Sequence, residues 1–207
     1  MKTEEMDFNN KMDDRADNRE NILNCAIHLF YSKGYDAVSV QEIVDAAGIT
    51  KPTLYYYFKS KYGLLESLLQ EKCTRINQQF QDAVKDSVDL PKTLYTAASF
   101  YFDLAAREKE LYFLMIALFY SARENEAHRA IQPYMTDQFE ILRNMFERAS
   151  DKLGNMHGRQ EQFAIGFTGI IHHYILVYYE REVDGYKLVD HAAIFSLVHQ
   201  FMHGIYS

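Results

Sequence analysis

Apolar residues recur along this chain at spacings of three and four, the pattern of helices with one buried stripe, and strict alternation is nearly absent. Ile22, Leu23, Ala26, Ile27 and Phe30 form the first stripe; the helix opens near Asp17, with Glu20 three residues on, and closes at Gly34. Ser39-Val40-Gln41-Glu42 spells a capping box for a second, short helix, whose inner face is Ile43, Val44 and Ala47 and which Gly48 ends. Thr50 caps a third helix, and Pro52 is tolerated in its first turn, where backbone donors are free anyway. Ser60 caps a fourth that runs through Leu64, Leu65, Leu68, Leu69 and Ile76 towards Val84. Five more helices are predicted near 92–108, 109–123, 133–152, 159–182 and 188–206, with Pro91 and Pro133 at helix starts and Gly154, Gly158 and Gly185 in the links. The fold class is therefore all-α, with about nine helices.

Two short helices flanking a tight turn at 46–50, under a longer first helix, make the layout of a helix-turn-helix. Thr50, Lys51, Pro52 and Thr53 open the reading helix, where side chains reach base edges or phosphates. Leu54 and Phe58 are four apart and take the core side. Successive residues of a helix point about 100° apart, so Tyr55, Tyr56 and Tyr57 cannot all be buried, and at least two face outward. Lys59 and Lys61 would pin the DNA backbone near the start of helix four, and Ser39 and Gln41 at the head of the second helix complete the candidate contact set. The plainer alternative is that the tyrosines cover a small core and the lysines are ordinary solvated charges.

Charge sharpens this picture. The formal net charge of −7 argues against DNA binding if read in bulk. Its distribution reverses the argument: residues 15–61 carry one more basic than acidic side chain, and no acid lies between Ile49 and Lys61. Residues 1–14 are polar and acidic, without the apolar run of a signal peptide, and read as a disordered tail. Cys25 and Cys73 lack metal or redox spacing and read as reduced thiols of a cytoplasmic protein. The run Phe163 to Tyr179 is near the lower limit for a membrane span, but it contains His172, His173, Gly166 and Gly169 and suits a protein interface better.

The segment from Ile22 to Leu65 resembles the N-terminal domain of TetR-family regulators. The matching text is Ile22-Leu23, Ala26, Leu29-Phe30, Gly34-Tyr35, then Ser39 to Ile43, Ala46 to Ile49, Thr50 to Phe58, Lys59-Ser60-Lys61 and Leu64-Leu65. Two positions depart from the family pattern. Tyr57 stands where His is frequent, and Tyr62-Gly63 stands where an acid is frequent, which leaves Ser60 without its capping partner. The resemblance implies a three-helix DNA-binding domain at 15–62 and a helical ligand-binding and dimerisation domain at 63–207. It implies a homodimeric repressor on palindromic operator DNA, released by a small-molecule effector. Two reading helices must then reach successive major grooves about 34–36 Å apart. The rival is a protein of this fold that binds a small molecule as a dimer and no longer binds DNA.

In the C-terminal part, Phe163, Phe167, Ile170, Ile171, Tyr174 and Tyr178 repeat at helical spacing, as do Ile194, Leu197, Val198 and Phe201. Two such helices per chain could form a four-helix dimer interface, the arrangement the resemblance implies. Tyr101, Tyr112, Met115, Phe119, Tyr134, Phe139 and His172 are candidate pocket residues, and such a lining suits an apolar or cationic aromatic effector. For any one of them, plain core packing is the simpler reading. His199 and His203 are four apart, but no carboxylate or cysteine at a recognised spacing completes a metal site. No phosphate-binding glycine loop, nucleophile elbow or redox dithiol points to an enzyme, and no cofactor is expected.

Overall fold

The computed structural model describes residues 2–85, 89–150, 158–180 and 191–204, with side chains from residue 17 onward except that of residue 180. Among these residues there are nine helices and no strand: α1 Lys2–Lys33, α2 Val40–Ala47, α3 Lys51–Phe58, α4 Lys61–Val84, α5 Leu90–Arg107, α6 Lys109–Phe119, α7 Glu126–Ala149, α8 Gln160–Glu180 and α9 His191–His203. No described helix is long and apolar enough to cross a membrane. The expected links around Gly154 and Gly185, and the outer ends of the last two predicted helices, lie outside the described residues.

Helix α6 ends at Phe119, four residues short of the sequence reading, and two helix starts differ by more. Helix α1 starts at Lys2 and takes in the acidic stretch that composition alone leaves unstructured; no proline or glycine interrupts it before Gly34. Helix α7 starts at Glu126, so Pro133 lies inside it and does not begin it. The start is set by Asn125, whose side-chain oxygen accepts from the Ala127 amide at 2.8 Å while its carbonyl accepts from Arg129. Pro133 costs this helix one ladder bond, which the turns on either side support.

The chain divides into two compact units, and neither is a continuous stretch. The first comprises Met1–Cys73 and Glu110–Gln132, the second Thr74–Lys109 and Pro133–Ser207. The expected linear boundary after residue 62 does not follow these units, because α6 pairs with α1, and the start of α7 with the loop after α1, across long sequence distances. His28 Nδ1 lies 2.8 Å from Glu110, Tyr31 meets the Phe113 ring, and Asn125 donates to Asp36 at 2.6 Å. The core of the first unit is Ile22, Leu23, Phe30, Ile43, Leu54, Leu64, Leu65 and Leu68, all essentially inaccessible. That is the face each stripe predicts.

In the second unit α5 packs against both α8 and α9. Its centre is aromatic: Phe80, Tyr101, Phe146 and Phe167 are fully buried, and Phe201 meets Phe146 and Phe167. Buried polar groups here are mostly paired. Asn77 donates to the Tyr134 carbonyl at 2.9 Å, Gln138 donates to Asn77 Oδ1 at 3.3 Å, and the Thr93 hydroxyl donates to the Asp89 carbonyl at 2.8 Å.

Candidate nucleic-acid interface

Helix α2 is fixed at both ends by its own sequence. The Ser39 hydroxyl accepts from the Glu42 amide at 3.2 Å, and the Glu42 carboxylate accepts from the Ser39 amide at 2.8 Å, completing the capping box. Lys33 donates to the same carboxylate at 2.7 Å; these bonds, the lysine's foremost, lower the Glu42 pKa to about 2. Gly48 closes the helix at φ +66°, a left-handed conformation that suits glycine, and Ile49 donates back to Val44.

Two residues later Thr50 caps α3 by accepting from the Thr53 amide. Leu54 and Phe58 point into the core, at 0% and 3% exposure. The helix therefore turns Lys51, Pro52, Tyr55 and Tyr56 outward, with Tyr56 71% exposed and Tyr55 45%. Thr53 and Tyr57 are half-buried, and the Tyr56 and Tyr57 rings meet edge to face at 5.3 Å. Thr50 and Lys59 are exposed at the two ends of the helix. On α2, Ser39 and Gln41 are also exposed, although the Ser39 hydroxyl serves its cap and the Gln41 amide donates to Asp45 at 2.7 Å.

The link from α3 to α4 is unusually tight. Lys59 has φ +62°, in the left-handed region, and the Ser60 amide donates to the Phe58 carbonyl at 2.7 Å, which closes a three-residue turn. Ser60 still caps α4, accepting from the Gly63 amide at 2.9 Å, so the missing acid does not abolish the cap. Gly63 is required for space: a Cβ there would lie 2.1 Å from the Phe58 carbonyl oxygen. The departure from the family pattern thus coincides with a close backbone approach.

Lys61 does not join the exposed set. Its ammonium turns inward and donates to the carbonyls of Tyr35 at 3.0 Å and Val38 at 2.9 Å, and it stands 4.3 Å from the centre of the Tyr35 ring. Those carbonyls lie in the loop between α1 and α2, where no helix partner is available to them. The ammonium that the sequence reading assigns to phosphate thus clamps that loop. Tyr35 was not anticipated as a functional residue. Its ring also packs on Phe30 at 5.1 Å, and its hydroxyl donates to Glu126 at 2.5 Å. Nothing in the local pattern signals contacts spaced by 26 and 91 residues.

Residues 22–68 match the profile described as bacterial regulatory proteins, TetR family. That match places the amino-terminal segment, under a quarter of the chain, in the TetR family. Over 101 residues the chain is similar to the HTH-type transcriptional activator FasR of Mycolicibacterium smegmatis, with 31% identity, covering 49% of this chain and 46% of that protein. The chain spans less than half the length of several curated relatives it matches. Over nearly its whole length the fold resembles that of the transcriptional regulator FadR from Bacillus subtilis in complex with stearoyl-CoA. The TM-score is 0.76 at 22% identity, covering 90% of this chain and 99% of that one. It also resembles AibR in complex with isovaleryl coenzyme A and operator DNA, with TM-score 0.70 and 22% identity over 88% and 97% of the two chains.

The candidate pocket residues of this chain fall into different units. Tyr101, Tyr134, Phe139 and His172 belong to the second, where Tyr101 and His172 meet edge to face at 4.9 Å. Tyr112, Met115 and Phe119 belong to the first, and Tyr112 and Met115 are buried. The candidate interface residues divide by burial. Phe167, Ile171, Ile194, Leu197 and Val198 lie in the chain's own core; Phe163, Tyr174, Tyr178 and Phe201 are half-buried; Ile170 is 40% exposed. Ile165 and Phe195, which the stripes omitted, are the more exposed apolar side chains of α8 and α9. Among the described residues no group of three potential metal ligands forms.

Proposed function

We propose that this TetR-family chain is a homodimeric repressor that binds palindromic operator DNA through α3 and leaves it when an acyl-CoA effector enters the second unit. The observation that carries the reading is the two-sidedness of α3. Burying Leu54 and Phe58 turns Tyr55, Tyr56, Lys51 and Lys59 to solvent together, on a stretch free of acids. Phenols and ammonium groups so presented suit phosphates and base edges.

The outward face of α8 and α9 supports a second copy as partner. Ile165, Ile170 and Phe195 are exposed there. Beside them runs an open groove of about 680 Å³ lined by Gly169, Ile170, Tyr174, Leu197, Phe201 and Gly204. An apolar face on two adjacent helices is what a self-complementary dimer covers. An acyl thioester suits the second unit because its described core is aromatic and aliphatic and holds no buried charge. The ligands named for the two solved relatives favour the same class.

The test is fluorescence anisotropy on the upstream region of the protein's own gene. Binding is expected to weaken steeply between about 50 and about 200 mM salt, since phosphate contacts release counterions. It is expected to fall further on adding stearoyl-CoA or isovaleryl-CoA, and to fail in the monomeric variant Ile170→Asp/Phe195→Asp. Operator affinity unchanged in a demonstrated monomer would remove the dimer from the mechanism; no specific binding at any salt would remove DNA.

A further inference from the structure

Asn77, Thr93 and Gln138 of the second unit have their hydrogen bonds. The buried hydroxyls of Ser99 and Tyr101 find none among the described residues, and of these two residues only Tyr101 is wholly buried. Its side chain is 1% exposed, and its hydroxyl finds no hydrogen-bond partner among the described residues. The ring is gripped from three sides: Phe80 lies 5.1 Å away, Phe100 6.1 Å and His172 4.9 Å between centres. A buried donor without an acceptor lowers stability, and a protein core keeps one where the group serves something other than folding. Burial alone drives the phenol's pKa upward, so the group is a donor and never a phenolate at physiological pH.

The surroundings restrict what that donor can meet. Besides Tyr101, the buried polar residues of the described chain are Asn77, Thr93 and Gln138, the Ser99 hydroxyl is buried as well, and none of these is charged. His172 adds no cation, because burial pushes its pKa down to about 4. A carboxylate brought to this place would lose its hydration and gain no counter-charge, which one neutral hydrogen bond does not offset. A carbonyl would lose little and would satisfy the hydroxyl.

We propose that the Tyr101 hydroxyl is the hydrogen-bond donor for the thioester carbonyl of the effector, and that this site accepts acyl-CoA while rejecting the free fatty acid. The inference rests on the acyl-CoA reading given above. It makes Tyr101 a specificity-determining residue whose cost is borne by the ligand-free protein.

The experiment compares full-length protein with Tyr101→Phe by calorimetric titration, using stearoyl-CoA, its thioether analogue S-octadecyl-CoA, and stearate. The thioether keeps chain and nucleotide and lacks only the carbonyl oxygen. The expected result is that Tyr101→Phe binds stearoyl-CoA about tenfold more weakly but binds the thioether as wild type does. Stearate binds neither protein measurably. The melting temperature of ligand-free Tyr101→Phe is expected to equal or exceed that of wild type, because the variant deletes only an unsatisfied group. Equal losses for thioester and thioether, or no loss for either, would overturn the role of Tyr101 while leaving the effector class intact. Stearate binding as tightly as stearoyl-CoA would overturn the discrimination. If neither stearoyl-CoA nor isovaleryl-CoA bound wild type, the effector reading itself would fall, and this inference with it.

Discussion

Lys59 and Lys61 are two residues apart, carry the same charge, and do different work. Lys59 is exposed at the end of α3, while Lys61 places its ammonium between two loop carbonyls and an aromatic face. Lys61→Met keeps the aliphatic stem and deletes both bonds. It should lower the free energy of unfolding by about 1–3 kcal/mol in urea titrations, since it takes the lysine donor from the Val38 carbonyl and leaves the Tyr35 carbonyl only the Val38 amide. Lys59→Met should change stability by less than about 0.5 kcal/mol and instead reduce the salt slope of operator binding by about one. The opposite ranking would return Lys61 to the DNA face. This is where side-chain chemistry read from sequence reached its limit. The pattern identified Leu54 and Phe58 as the inner pair of α3 because their spacing alone decides it. It could not place Lys61, because the carbonyls that capture it belong to a loop 23 and 26 residues away.

Helix ends were legible wherever a cap is written in adjacent residues. The capping box of α2, the Thr50 cap of α3 and the Ser60 cap of α4 all form as read. The start of α7 was not legible, since Pro133 is the louder signal and Asn125 the operative one. The two glycines that bound the reading helix differ in what they supply. Gly48 needs a backbone angle and has open space around it, whereas Gly63 needs room. Gly48→Ala should therefore cost about 1 kcal/mol, the penalty of a Cβ at positive φ. Gly63→Ala should cost more, since Phe58 must move away, and it should also weaken operator binding by displacing the end of α3. Thermal melts of the two variants, with anisotropy on the same operator, order them. If Gly63→Ala proved the milder, the turn at Lys59 would be pliable.

The division into two compact units was the part of the fold least available from sequence. Bonds such as Tyr35 to Glu126 and Asn125 to Asp36 join elements about ninety residues apart, and they take α6 and the head of α7 out of the C-terminal domain expected after residue 62. The folded molecule also carries a proton-linked term. Burial lowers the His172 pKa from 6.5 to about 4, so the unfolded chain takes up this proton first. Stability should accordingly fall as the pH drops from about 6.5 to about 4, by up to about 1.4 kcal/mol per pH unit. His172→Gln should flatten that part of a denaturation-versus-pH curve. An unaltered slope would assign the proton to another group.

Tyr35 has one further consequence. Its ring lies under the Lys61 ammonium and against Phe30, and its hydroxyl reaches Glu126, so one phenol joins α1, α4 and α7 at a single point. Each partner is held partly by the others. Changes at Lys61, Tyr35 and Glu126 will therefore not combine as independent increments: once one is lost, the next costs less. Homologues of this chain are then expected to vary at the three positions together, and an alignment in which they vary independently would break the triangle into separate contacts.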